Sequence, residues 1–229
     1  MDARPRDEPA IEVETGSGPS ASVIWLHGLG ADGQDFEVII PELRLPTQPV
    51  LRFVFPHAPY RPVTINGGYI MRAWYDIAMS ERGLEQNLEH IRESKRILQG
   101  LIENEIQRGI ACERIVLAGF SQGGAIALHT GLRYSKSLAG IMSLSAPVPF
   151  AESLMAEVDP ANATIPVFMA HGTDDRMIPF DLAQQAHGQM EARGLHLEWH
   201  TYAMGHTVVL DEIQDIARWL ARVLGNKGG

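Results

Sequence analysis

Gly119-Phe120-Ser121-Gln122-Gly123 places a serine between glycines two positions to either side, directly after the uncharged, β-branched run Ile115-Val116-Leu117-Ala118. That run suits a fully buried strand, and Gly124-Ala125-Ile126-Ala127-Leu128-His129 opens well as a helix. A serine at a sharp strand-to-helix turn is held in strained φ/ψ with its Oγ exposed, and flanking glycines let the neighbouring backbone come close. The chemistry such a turn prepares is nucleophilic attack on an acyl carbonyl.

A serine hydroxyl is a weak nucleophile at neutral pH. It needs a histidine to take its proton and a carboxylate to hold that imidazole in the right tautomer. In chains with this turn the order is Ser, then Asp or Glu, then His, the last two on loops at the carboxyl ends of later strands. His171-Gly172-Thr173-Asp174-Asp175-Arg176-Met177-Ile178-Pro179 follows the strand-like Val167-Phe168-Met169-Ala170 and offers two aspartates. Asp175, after the turn and before the apolar Met-Ile-Pro, is better placed to point inward than Asp174. Among nine histidines, His206 in Ala203-Met204-Gly205-His206 lies between the last strand and the last helix, where a ring can swing over the serine. His196 and His200 sit in or beside a strand, and His90, His129 and His187 lie on helical runs. His27, His57 and His171 fall on three separate strand ends without ligand spacing, so no metal site is expected. A tetrahedral oxyanion needs two preorganised N–H donors. The backbone of Gln122 supplies one, and that of Leu29, in the glycine-rich His27-Gly28-Leu29-Gly30-Ala31-Asp32-Gly33 after the first central strand, is expected to supply the other.

These loops need a sheet to present them. Strand-like runs at 23–26, 51–55, 115–118, 139–144, 167–170 and 195–199 alternate with helix-like ones, which predicts an α/β fold with a mostly parallel sheet covered on both faces. Leu84, Leu88, Ile91, Leu98, Leu101, Ile102 and Ile106 predict one amphipathic helix from about 84 to 107, with further helices at 180–193 and 209–224. Residues 1–20, rich in Pro, Gly, Ser and charge, read as a loose leader with one short edge strand at 11–14, and 21–229 as a single domain. Pro56 to Asp76, with Pro59, Pro62, Gly67 and Gly68, reads as a long irregular segment of the kind that serves a site.

A 45% hydrophobic and 21% charged composition is that of a globular protein with ample core. The net charge of −9, with 19 Lys and Arg against 28 Asp and Glu and no basic cluster, argues against nucleic acid as a partner. The lone Cys112 excludes an internal disulfide and fits a reducing, cytoplasmic setting, where it reads as a small core filler. No apolar run is long enough for a membrane span.

From about residue 22 to 222 the chain resembles the bacterial carboxylesterase and acyl-protein thioesterase (phospholipase/carboxylesterase) family of α/β-hydrolases. The resemblance is carried by His27-Gly28-Leu29-Gly30, Pro56-His57-Ala58-Pro59, Pro62 to Gly68, Trp74-Tyr75-Asp76, Gly119 to Gly124, His171-Gly172 with Asp175, and Met204-Gly205-His206. It implies a Ser121–His206–Asp175 triad, oxyanion donors on Leu29 and Gln122, no cofactor, and an often dimeric enzyme. The substrate it implies is a small-molecule or lipid acyl ester or thioester. It further implies an acyl groove flanked by the 56–76 segment and lined by Ile70, Met71, Trp74, Met177 and Ile178. Arg72 stands where many relatives carry proline, and Val208-Val209 follow the histidine where small or sulfur-bearing residues are common. Short-to-medium carboxylic esters are the expected substrates. The alternatives are a thioesterase or lysophospholipase for longer chains, and a non-catalytic binding protein on the same scaffold.

Overall fold

The computed structural model describes residues 8–81 and 83–225. In chain order the strands are β1 (Ile11–Glu14), β2 (Ala21–Leu26), β3 (Leu51–Phe55), β4 (Tyr60–Val63), β5 (Tyr69–Arg72), β6 (Ile77–Ser80), β7 (Gly83–Gln86), β8 (Ile115–Phe120), β9 (Gly140–Leu144), β10 (Val167–Gly172) and β11 (Leu197–Tyr202). The helices are α1 (Ile40–Leu43), α2 (Leu88–Gln107), α3 (Gln122–Gly131), α4 (Ala151–Ala156), α5 (Phe180–Glu191) and α6 (Leu210–Leu224). Seven strands form one sheet in the order β1-β3-β2-β8-β9-β10-β11, with β1 antiparallel and all other neighbours parallel.

The central strands are uncharged and continuously buried because both faces are covered. Their alternation divides the core. Ile24, Leu26, Leu117, Ile141 and Met169 face Ile91, Leu98 and Ile102 of α2 and Ala125 and Ile126 of α3. Val23, Trp25, Val116, Met142 and Phe168 face the other way, toward Ile213, Ile216, Trp219 and Leu220 of α6. Cys112 is buried beside the first cluster, and burial pushes its thiol up to about 11, so it stays protonated as a packing group.

The register sets the site. Leu26 lies opposite Gly119, Phe120 opposite Leu144, and Gly172 opposite Tyr202, so the loops that follow β2, β8, β10 and β11 leave the sheet along one edge. His27, Ser121, Asp175 and His206 all sit on those loops.

Several expectations need correction. The helix expected from residue 84 begins at Leu88, because Asn87 caps it by accepting from the His90 N–H at 3.0 Å. Leu84 instead lies in a β6–β7 hairpin, opposite Met79. The 56–76 segment is not irregular: β4 and β5 pair antiparallel, Tyr60 with Arg72 and Val63 with Tyr69, closed by a 3₁₀ turn and by Gly67 and Gly68 at φ 67° and 79°. The last strand runs to Tyr202, since pairing with β10 carries it past the hydrophobic run that marked it. Of the expected leader, residues 1–7 lie outside the described residues. The rest is held on the sheet edge by β1 and by the Thr15 and Ser20 N–H groups, which donate to Leu51 O and Val50 O. No helix among the described residues is long and apolar enough to cross a membrane.

Candidate active site

Ser121 sits between β8 and α3 at φ 54° and ψ −122°, a conformation L-residues rarely adopt. Packing around it explains the glycines. A Cβ on Gly119 would lie 2.2 Å from the Gly123 carbonyl carbon, and one on Gly123 would lie 2.3 Å from Leu26 O. The strained backbone is over-determined by these approaches and by the Ser121 N–H, which donates to Leu144 O at 2.8 Å.

The turn aims Oγ at the loop after β11. His206 Nε2 lies 3.0 Å from Ser121 Oγ, and His206 Nδ1 lies 2.7 Å from Asp175 Oδ2. With Nδ1 protonated and donating to the carboxylate, Nε2 is left to accept the serine proton. The ring is steadied by Phe120, whose centroid is 4.8 Å away. Asp175 is 5% exposed, and its Oδ1 accepts from the backbone N–H groups of Met177 and Ile178 at 2.8 and 2.9 Å. Burial works to raise its pKa, but the Ile178 N–H, His206 and the Met177 N–H prevail and hold the carboxyl below the usual range. His171 Nε2 lies 3.4 Å from the same Oδ2 and 2.8 Å from Ile178 O, and burial keeps this second imidazole below its ordinary pKa. Asp174 is exposed, with its backbone N–H bonded to Met204 O, so it serves the turn and stays away from the histidine.

Gln122 opens α3, and its main-chain N–H belongs to the first helical turn, which has no intrahelical acceptor. Leu29 lies in the loop after β2, whose Gly28 backbone abuts Ser121: a Cβ on Gly28 would lie 3.5 Å from Ser121 Cβ. Neither the Leu29 nor the Gln122 N–H has a protein acceptor among the described residues. Two free donors beside the Ser121 hydroxyl, one at a helix N-terminus, make a site suited to a small oxyanion.

Ser121, His206, Leu29 and Gln122 border a cavity of about 940 Å³. One wall carries Met71, Ile77, Met79 and Leu84, and the other Met177, Ile178, Leu182 and Ala186. The structure therefore places Met71, Met177 and Ile178 on the cavity but not Ile70 or Trp74. Ile70 alternates with Met71 on β5 and turns its side chain out, 44% exposed. Trp74 is fully buried beneath the loop after β2, where its indole N–H donates to His27 O at 2.9 Å. Ile77, Met79, Leu84 and Leu182 escaped the sequence reading. The alternation of Ile77 and Met79 about a glycine-containing turn from Leu84 is a hairpin signal that could have found the first three.

The model of the phospholipase/carboxylesterase family matches residues 8–224. The chain belongs to that family. Membership makes it a hydrolase of the carboxylic-ester class with the α/β-hydrolase fold. It is 36% identical to acyl-protein thioesterase 1 of Yarrowia lipolytica, over 93% of this chain and 96% of the relative. It is 33% identical to carboxylesterase SOBER1 of Arabidopsis thaliana, over 88% and 90%. The crystal structure of SOBER1 superposes with a TM-score of 0.82 at 32% identity, covering 89% of this chain and 99% of that one. Acyl-protein thioesterase 2 of Zea mays also gives a TM-score of 0.82, at 26% identity over 94% and 99%.

Proposed function

We propose that this hydrolase works through an acyl-enzyme on Ser121, with His206 as general base and acid and Asp175 as its orienting carboxylate, and that it cleaves short-to-medium acyl carboxylic esters. The observation that carries this reading is the continuous Ser121–His206–Asp175 hydrogen-bond line on the cavity border. Oγ attacks the acyl carbonyl as Nε2 takes its proton. The tetrahedral oxygen is received by the Leu29 and Gln122 N–H groups, His206 protonates the leaving alcohol, and water repeats the sequence to release the acid. Ser121→Ala should abolish ester hydrolysis and labelling by a fluorophosphonate. Activity retained in that variant would end the proposal, and would equally revive a non-catalytic role for the serine.

Acyl length is set by the two apolar walls. Each methylene they bury is worth about 0.8 kcal/mol, so kcat/KM should rise roughly fourfold per added methylene until the cavity is filled. A thioesterase reading has its own support. Met79, Met177 and Leu182, at 64%, 75% and 58% exposure, leave the cavity rim apolar and open, which suits an acyl chain presented by a large carrier. The 36% identical relative is named an acyl-protein thioesterase. Paired oxygen esters and thioesters of the same acyl chain separate the two readings by their ratio of kcat/KM.

A further inference from the structure

Behind the oxyanion donors runs one connected set of hydrogen bonds. Ala58 N–H donates to His27 Nε2 at 3.0 Å, so Nε2 carries no proton. The proton is therefore on Nδ1, which donates to Gly28 O at 2.7 Å. The ring is 1% exposed, and burial brings its pKa down to about 4, so it stays neutral in this tautomer. In a trans peptide the C=O of Gly28 and the N–H of Leu29 point in opposite directions. Fixing the carbonyl toward the buried ring turns the Leu29 N–H away from it. Gly28 itself packs against Ser121.

Trp74 links this bracket to the second donor. Its indole N–H donates to His27 O at 2.9 Å, and its ring lies 5.3 Å from the imidazole. Its backbone N–H donates to the Gln122 side-chain Oε1 at 3.1 Å, while Gln122 Nε2 donates to Tyr75 O at 2.9 Å. The residue whose main-chain N–H opens α3 is thus tied by its side chain to the strut that holds His27.

We infer that His27 and Trp74 are positioning residues that aim the Leu29 and Gln122 N–H groups at the transition-state oxygen, an assignment that rests on the Ser121 acyl-enzyme reading. His27→Ala removes the Nδ1 donor, and kcat should fall roughly 10²-fold, the loss typical of one oxyanion donor, with KM within about twofold. His27→Asn keeps an N–H that reaches Gly28 O and should recover at least about tenfold of that loss. Trp74→Phe should show the same pattern more weakly. A trifluoromethyl ketone that adds to Ser121 should lose affinity in step with kcat, while the matching ether, which forms no adduct, should not. The ratio of those two affinities does not depend on the fraction of folded protein. Equal losses in His27→Ala and His27→Asn, ketone and ether affinities falling together, or unchanged kcat in His27→Ala would each overturn the positioning role. If Ser121→Ala still hydrolyses ester, the functional reading fails. If Ser121→Ala is inactive while His27→Ala matches wild type, only the positioning role falls.

Discussion

Glu212 gives the sharpest prediction for stability. It lies in the first turn of α6, fully buried, and neither carboxylate oxygen has a hydrogen-bond partner among the described residues. Burial pushes its carboxyl up to about 8; the nearby Val209 backbone N–H opposes the shift and Asp215 adds to it. The folded chain therefore keeps a proton that the unfolded chain has lost between the ordinary 4.5 and about 8. Since the native state binds the extra proton, stability is full below that window and is lost as pH rises through it, by about 1.4 kcal/mol per pH unit. Across the whole window the loss is of order 5 kcal/mol, a large part of the ~5–15 kcal/mol that holds a domain folded. Glu212→Gln mimics the protonated form and removes the titration. Urea unfolding from pH 5 to 9 should give a difference in stability between variant and wild type that grows by several kcal/mol, because the other titrating groups are shared and cancel. Parallel curves would refute the argument. His206 lies just before α6, so the same ionisation should also lower activity reversibly at alkaline pH, and the Gln variant should resist it.

Asp175→Asn should cost about 10³ to 10⁴ in kcat, because an amide in that place favours the wrong imidazole tautomer, whereas Asp174→Asn should stay within about twofold; steady-state kinetics on one ester compares them. Gly123→Ala forces a Cβ to 2.3 Å from a main-chain oxygen, so its expression and melting temperature should fall well below those of Gly188→Ala, where a Cβ meets nothing within 4 Å. Met79→Ser together with Leu84→Ser removes two of the four apolar side chains named on one wall. This pair should flatten the rise of kcat/KM with acyl length while leaving the rate on an acetyl ester within about threefold.

The sheet and the Ser121 turn were legible because buried parallel strands carry a strong local signal. Ile115 to Ala118 can be little else, and Gly119 and Gly123 are demanded by contacts at 2.2 and 2.3 Å that no side chain could satisfy. Asp175 was distinguishable from Asp174 by its place after the turn and before the apolar Met177-Ile178-Pro179, and by the family resemblance. What fixes it physically is the pair of N–H donors from Met177 and Ile178, which act within the same loop. Segment 56–76 was misread because its order is not local. Proline and glycine marked it as irregular, while the hairpin is held by long-range bonds such as Arg61 Nε to Ala73 O at 2.8 Å and Arg72 Nη1 to Ala58 O at 2.9 Å. Leu84 followed a helical spacing by coincidence of period, and the Asn87 cap decided the boundary.

The same segment keeps the cavity wall separate from the frame behind it. Along β5 the residues alternate in duty. Met71 faces the cavity, while buried Arg72 bonds Ala58 O through its guanidinium and accepts the Gly30 N–H at 2.9 Å through its own carbonyl. Arg72 also pairs with Glu8 and lies 4.4 Å from the centre of the Tyr60 ring. A proline would keep the carbonyl that holds Gly30 but remove the side-chain bonds, through which the arginine ties the hairpin to Ala58, whose N–H in turn holds His27. A period of two thus separates a residue on the cavity wall from a frame that holds the loop carrying Leu29. Substitutions at Met71, Met79 or Leu84 should move chain-length preference with kcat on the shortest ester little changed. Arg72→Leu should do the reverse, lowering kcat on every ester by a similar factor with the preference intact. A change of chain-length preference in Arg72→Leu, measured across the ester series, would show that wall and frame are not separable.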